Sequence, residues 1–509
     1  MDIHFQAQAK NADGEAAAWR ADAVIVPVFK DEEALSFIPV LAEAAPWLSI
    51  SPALRDFTGA KNDSAFLYGH PDLPISRALF VGLGNRSDFS AKILRDAVAG
   101  AVKELARRKI QHLAFAVESL RVIAGDSEHA VKLVEEVVLG AKLAVYDFAE
   151  YKSKKENSFT PRVFSLLFSE DFVQDAEQIA ARKAEAIAGG IYYARNIING
   201  PGNVVTPEYM EEKAAALAAA YNFNFKSHGP EFLEDQGMGA FMAVAQGSAK
   251  EPRLLILEHA PKGTENDQPV IIVGKGITFD SGGISLKPSA GMEKMKRDMA
   301  GAGTVLGLFA AIGASANVKQ RVIGIMPCCE NMPDGNAVKP GDIVKTLSGK
   351  TVEITNTDAE GRLLLCDCLT MAQNMATPLA LIDIATLTGA CVVALGDKTC
   401  GLFTNNDELG RNVLAVAAEA GERFWPLPVY DEDIEGLTSG TAADLNNTGP
   451  REGGALFAAL FLKQFVKNET PWAHFDIAGP AYTQKAEPTN SGGATAFGLR
   501  TLFELIAKP

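Results

Sequence analysis

The chain has 509 residues, 47% of them hydrophobic and 22% charged, enough for roughly two to four domains with buried cores. Its formal net charge of −15 argues against a broad electrostatic footprint for nucleic acid, although a local basic stripe stays open. No window approaches the roughly eighteen consecutive apolar residues of a membrane span, the start Met1-Asp2-Ile3-His4-Phe5 has no basic stretch leading into an apolar one, and six cysteines in so long a chain make no disulfide framework; the expectation is a cytoplasmic globular protein without membrane contact.

In chain order, Ala21 to Phe29 and Arg77 to Gly84 are apolar runs of strand length. Ser90 to Arg108 and Glu128 to Tyr151 carry apolar residues at helical spacing, with a further strand, His112 to Val117, between them. That alternation predicts a small α/β domain with parallel strands over residues 1–170. Leu83-Gly84-Asn85-Arg86-Ser87 has an incomplete glycine pattern and reads as a plain βα loop rather than a phosphate cradle. Tyr151 to Ser158 is a polar, charged loop, and the strand Val163 to Phe168 closes the domain. Asp171 to Asn199 reads as one long amphipathic helix stopped by Gly200-Pro201-Gly202, a connector over residues 171–200.

Residues 201–509 form the larger unit. Thr206 followed by Pro207 marks a helix start, and Tyr209 to Tyr221 is alanine-rich helix. Arg253 to Glu258, Val270 to Val273, Arg321 to Met326, Val352 to Thr355 and Leu379 to Ala385 are strand candidates separated by helices such as Gly301 to Gly313. The prediction is a larger C-terminal α/β domain with a central mixed sheet flanked by helices. Cys366-Asp367-Cys368 has no partner pair and reads as core rather than as a soft-metal site.

Two stretches of this unit carry chemistry. Asn356-Thr357-Asp358-Ala359-Glu360-Gly361-Arg362-Leu363 sits between a strand (Thr351 to Thr355) and a helix (Leu363 to Met375). In an extended stretch Asp358, Glu360 and Arg362 project the same way. Upstream, the apolar run Val270 to Val273 breaks into a glycine-rich loop holding Lys275, Asp280 and Lys287, and Asp298 follows in Lys296-Arg297-Asp298-Met299. Four carboxylates gathered in one place repel one another unless compensated. Divalent cations are the usual compensation, and oxygen-rich ligand sets suit Mg, Mn or, with nitrogen added, Zn. On residue type alone, Lys275 suits a cation offsetting the carboxylates, Lys287 a loop lysine and Arg362 a salt bridge. Neither stretch contains histidine; His228, His259 and His474 lie elsewhere in this half.

These residues resemble the metal-binding motifs of the leucyl (cytosol) aminopeptidase family. The similarity continues in Ala194 to Asn203, in Ala385-Thr386-Leu387-Thr388-Gly389-Ala390 and in Asp476-Ile477-Ala478-Gly479; it is close from about residue 190 onward and one of pattern before that. The resemblance implies a macro-like N-terminal domain, a homohexamer, and hydrolysis of N-terminal residues, preferentially leucine and other hydrophobic ones, from peptides. It implies two divalent metal ions, Mn or Zn, bridged by Asp280 and Glu360, with Asp298 and Lys275 completing one site and Asp358 the other. It makes Lys287 and Arg362 catalytic, the latter holding a bicarbonate ion as proton acceptor, and places Met295, Thr386 and Gly389 along the substrate side-chain pocket. From the residues alone, Met295 reads as core packing rather than as pocket lining. The competing expectation is a DNA-binding regulator with a secondary metal site.

Overall fold

A computed structural model of the chain describes residues 1–7, 20–30, 32, 54, 56–70, 75–153, 159–168, 174–315 and 318–508. Two compact units emerge: residues 1–188 with 485–491, and residues 189–484 with 492–509.

The first unit holds a six-stranded sheet. Its strands are β1 (Asp2–Ala7), β2 (Ala23–Phe29), β3 (Ser64–Tyr68), β4 (Arg77–Gly84), β5 (His112–Ala116) and β6 (Val163–Phe168), in the order β1-β6-β5-β2-β4-β3. All neighbours are parallel except the edge strand β3, which runs antiparallel to β4. Parallel strands need covered faces, and β2 is buried along its whole length. The helix expected over Glu128 to Tyr151 is shorter, Ser127–Ala144, and a separate short helix, Glu118–Ala124, precedes it at Asp126, whose side chain accepts from the His129 N–H. The long helix expected from Asp171 runs Gln174–Asn199; its first expected residues, like Lys154 to Ser158 of the polar loop, lie outside the described residues.

The second unit is built on a nine-stranded sheet. Its strands are β7 (Asn224–His228), β8 (Arg253–His259), β9 (Val270–Gly274), β10 (Gly276–Asp280), β11 (Val322–Asn331), β14 (Ala380–Ala385), β15 (Thr399–Thr404), β16 (Arg423–Pro426) and β18 (Trp472–Asp476). The order is β16-β15-β18-β14-β9-β11-β8-β7, with β10 paired to the far half of β11. The centre, β18-β14-β9-β11, is parallel, and the flanks are antiparallel at β15/β18, β11/β8 and β8/β7. Strands β9, β14 and β18 are buried at every residue, as continuous apolar runs require. The helix Ala300–Ala314, apolar all round, packs within this core. At its centre Asp383 accepts from Trp472 Nε1 at 2.8 Å and lies 2.5 Å from His474 Nδ1. That carboxylate raises the His474 imidazole above its usual value although burial acts the other way.

Two expectations are corrected here. Val352 to Thr355 is not a strand of the central sheet: β13 (Thr351–Ile354) belongs to a separate three-stranded sheet with β12 (Asp342–Lys345) and β17 (Leu445–Asn446). The glycine-rich stretch after β9 is not loop throughout, because Gly276–Asp280 pairs with β11 as a short strand. All six cysteines are free and buried, Cys366 and Cys368 among the core side chains.

Candidate metal centre

The parallel strands deliver the site at their carboxyl ends, where open α/β sheets keep ligands. Lys275 occupies the break between β9 and β10, Asp280 ends β10, and Thr386 follows β14. Asp298 follows the 3-10 turn Met292–Arg297 and precedes the buried helix Ala300–Ala314. Asp358 and Glu360 come from the turn after β13. The expectation of an extended stretch fails there: Glu360 has helical dihedrals and caps the helix Gly361–Met375, and Arg362 is already inside that helix. Asp358 and Glu360 converge because the chain turns into the helix, not because they alternate along a strand.

Oxygens of Asp280, Asp358 and Glu360 all lie within 4.8 Å of one another. Lys275 Nζ is 2.7 Å from Asp298 Oδ2, 2.8 Å from Glu360 Oε1 and 3.0 Å from the Thr386 carbonyl. Lys287 Nζ is 2.7 Å from Asp280 Oδ2 and also pairs with Asp358 Oδ1. The Thr386 hydroxyl donates to Asp298 Oδ1 at 2.7 Å. Asp280 Oδ1 accepts from the Gly282 N–H at 2.9 Å and from Asn331 Nδ2 at 2.8 Å. Gly282 has φ +90°, and a Cβ there would stand 2.9 Å from Asp358 Oδ1. Thr357 stitches the two motif stretches together, donating to the Gly282 carbonyl at 2.6 Å and accepting from the Ser285 N–H at 2.8 Å.

Burial sets the electrostatics. It pushes Glu360 and Asp298 above the usual carboxylate range, with Asp280 adding repulsion to both, and burial likewise raises Asp358. Burial would depress Lys275 and Lys287, but the surrounding carboxylates, Asp298 and Glu360 for the first and Asp280 and Glu360 for the second, hold both above their ordinary value. Glu360 Oε2 has no hydrogen-bond partner among the described residues, so its buried lone pairs are open to a cation. Arg362 donates from Nη1 to the Asn447 carbonyl at 2.8 Å, and its Nε has no such partner. Burial pushes its guanidinium down to about 10.

Of the remaining expected site residues, Met295 is half-buried on the 3-10 turn, and Gly389 is exposed at the start of the helix Gly389–Leu395, with nothing within 4 Å of the place a Cβ would take. None of the three histidines enters the cluster: His474 faces Asp383, His228 stacks on Phe232 at 3.7 Å, and His259 Nε2 meets the Val318 carbonyl at 3.0 Å. Sequence reasoning missed Asn331, which ends β11 just after Glu330, Asn447, which follows β17 directly, and the role of Asp476. Asp476 accepts from the Thr388 hydroxyl at 2.7 Å and from the Leu387 N–H at 3.2 Å, holding the segment that carries Thr386. For Asn331 and Asp476 the only sequence signal is a polar residue ending a strand-like run; Asn447, among polar neighbours, carries none.

Comparison with known proteins places these features in context. Residues 192–503 match the catalytic domain of the cytosol aminopeptidase family and residues 25–155 its N-terminal domain. A probable cytosol aminopeptidase of Nitratidesulfovibrio vulgaris is 49% identical over 510 residues, covering 100% of this chain and 99% of that protein. One from Oleidesulfovibrio alaskensis is 46% identical, covering 99% and 98%. Among solved structures, a variant of tomato leucine aminopeptidase superposes with a TM-score of 0.84 at 31% identity, covering 100% of this chain and 97% of its own. The bottromycin maturation enzyme BotP in complex with Mn superposes with a TM-score of 0.81 at 32% identity, covering 96% and 99%.

Proposed function

This chain belongs to the cytosol aminopeptidase family, and from that membership we propose that it is a two-metal enzyme releasing N-terminal residues, leucine and other hydrophobic ones in preference, from peptides. The observation that carries the metal half of this reading is the cluster itself, three carboxylates with oxygens within 4.8 Å and an unpartnered, buried Glu360 oxygen. Four carboxylates against the ammonium groups of Lys275 and Lys287 leave two negative charges uncompensated, an excess that a buried site tolerates with cations present. Asp280 and Glu360 would serve both ions, Asp298 and Lys275 would help hold one of them, and Asp358 the other. The manganese complex of BotP supports Mn as one occupant, and Zn fits the mixed oxygen and nitrogen set. Such a pair polarises the scissile carbonyl and readies water for attack at neutral pH.

The chain's own side chains do the rest. Lys275 serves as a ligand only as the neutral amine, so it gives up its proton to do so. Lys287 keeps its charge and donates to the oxygen that turns negative on the attacked carbonyl. Arg362, with its unpartnered Nε, would offer a planar fork to a bicarbonate ion, which would supply a proton acceptor beside the cluster. Met295, Thr386 and Gly389 line the pocket for the first side chain of the substrate; the open space beside Gly389 supports this. The free α-amine of the peptide marks the chain end, since an internal amide nitrogen has no lone pair to give.

The same reading carries a cytoplasmic homohexamer, which light scattering would register as six times 54.2 kDa. The central test is a chelator: hydrolysis of leucine p-nitroanilide is expected to vanish on full demetallation and to return with Mn or Zn, with two ions counted per chain. Activity that survives demetallation refutes the reading.

A further inference from the structure

Asn447 is completely buried and follows directly on β17. Its side-chain oxygen accepts from the Thr355 N–H at 2.8 Å, the Thr355 hydroxyl at 3.1 Å and the Asn356 N–H at 3.3 Å. Its side-chain nitrogen donates to the carbonyls of Asn356 at 2.7 Å and Ala359 at 3.3 Å. Its own N–H donates to the Glu353 carbonyl at 2.9 Å, and its carbonyl accepts from Arg362 Nη1 at 2.8 Å. Both hydrogens of the amide and the acceptor capacity of its oxygen are therefore committed. All of them go to one short segment, residues 353–362, which carries Asp358, Glu360 and Arg362.

The partners are placed around the chemistry. Thr355 and Asn356 come just before Asp358, Ala359 lies between the two carboxylates, and Arg362 follows them. A hydroxyl could not donate twice, and a carboxylate could not donate at all. An amide accepts at the start of the turn and still has two donors for the carbonyls of Asn356 and Ala359.

We propose that Asn447 is a positioning residue for the metal centre: it fixes the turn that sets Asp358 against Glu360 and, through its carbonyl, the direction of the Arg362 guanidinium. Its kinetic consequence rests on the aminopeptidase reading; its effect on ion binding does not. Groups that orient ligands without touching the ion typically carry about 10- to 100-fold in affinity or activity.

The test uses the full-length protein, with Asn447→Ala, with Asn447→Asp, which keeps the shape and the acceptor but loses both donors, and with Asn405→Ala as a control. Asn405 is another asparagine staple, accepting from the Trp472 N–H at 2.8 Å and donating to the Thr470 carbonyl at 3.0 Å, away from the cluster. Manganese affinity is measured by titration calorimetry, thermal midpoint by melting, and kcat and KM on leucine p-nitroanilide at saturating Mn. Both Asn447 variants are expected to lose about 10- to 100-fold in Mn affinity and in kcat, with KM changed less than about twofold, whereas Asn405→Ala lowers the midpoint and leaves Mn affinity and kcat as they were. Wild-type Mn affinity and kcat in either folded Asn447 variant overturns the proposal. Failure of both variants to fold also overturns it, since the residue then serves the whole domain. A wild-type protein inactive on the anilide sinks the aminopeptidase reading alone, and the Mn titrations still decide the role of Asn447.

Discussion

Gly361 opens the helix that follows the acidic turn, and Lys275 lies across it. A Cβ at position 361 would stand 2.5 Å from Lys275 Cε and 2.8 Å from both Cδ and Nζ. Carbon atoms in ordinary contact sit about 3.5–4.0 Å apart, so Gly361→Ala forces the lysine to retreat by roughly 1 Å. A long side chain usually yields easily, but this one is 3% exposed and held by Asp298, Glu360 and the Thr386 carbonyl at 2.7, 2.8 and 3.0 Å. Moving it stretches all three contacts toward the limit of hydrogen bonding, about 3.5 Å. Stability falls by at most about 3 kcal/mol, because overpacking costs about 1–3 kcal/mol and the preference for alanine over glycine in a helix returns up to about 1 kcal/mol. Function changes more: a misplacement of about 1 Å at a reacting centre costs on the order of 100-fold. The expected result is a thermal midpoint within a few degrees of wild type together with an approximately 100-fold loss of kcat on leucine p-nitroanilide and weaker Mn binding. Wild-type turnover and Mn affinity in Gly361→Ala would refute the placement of Lys275 as a ligand.

Lys287→Ala is expected to lose about 10²- to 10³-fold in kcat while keeping its full metal content by elemental analysis; loss of an ion would show that the lysine supports binding instead. In carbonate-depleted buffer, activity is expected to rise with added bicarbonate in the wild type and not in Arg362→Ala, and a flat wild-type response would remove the anion as proton acceptor. Asp367 is buried within the helix Gly361–Met375 and accepts from the Leu347 N–H at 2.8 Å and the Phe241 N–H at 3.0 Å. Burial raises its carboxyl from 3.8 to about 7. The folded protein thus binds this proton more tightly than the unfolded chain, and the stability gained from it is lost as pH rises from about 4 to about 7. The difference in thermal midpoint between wild type and Asp367→Asn should therefore shift against the wild type across that window; a pH-independent difference would show the carboxyl to be ionised throughout.

The residues of the cluster were readable because acidic side chains at a strand-helix corner beside a glycine-rich stretch are rare without a reason. Their geometry was not. The spacing of Asp358 and Glu360 suggests alternation along a strand, and the structure brings them together through helical dihedrals at Glu360. The strand before them alternates like any half-buried strand, yet its partners, β12 and β17, place it outside the central sheet, and the pairing with β17 across some 90 residues leaves no local trace. Asn331 and Asn447 escaped for the same reason. Each is one polar residue whose partners are contributed by distant segments, and neither periodicity nor composition distinguishes it from a turn asparagine. Lys275 as a metal ligand came only from resemblance, since a lysine among carboxylates reads first as their counter-charge.

The buried cysteines bear on how this protein can be handled. Burial pushes Cys391 up to about 12 and raises the other five thiols as well, so at neutral pH the native chain presents no thiolate to a maleimide or an oxidant. A cysteine introduced at Val393, which is 90% exposed on the helix that begins with Gly389, would then be labelled alone, giving a fluorescent reporter on that short helix without removing any natural residue from the core.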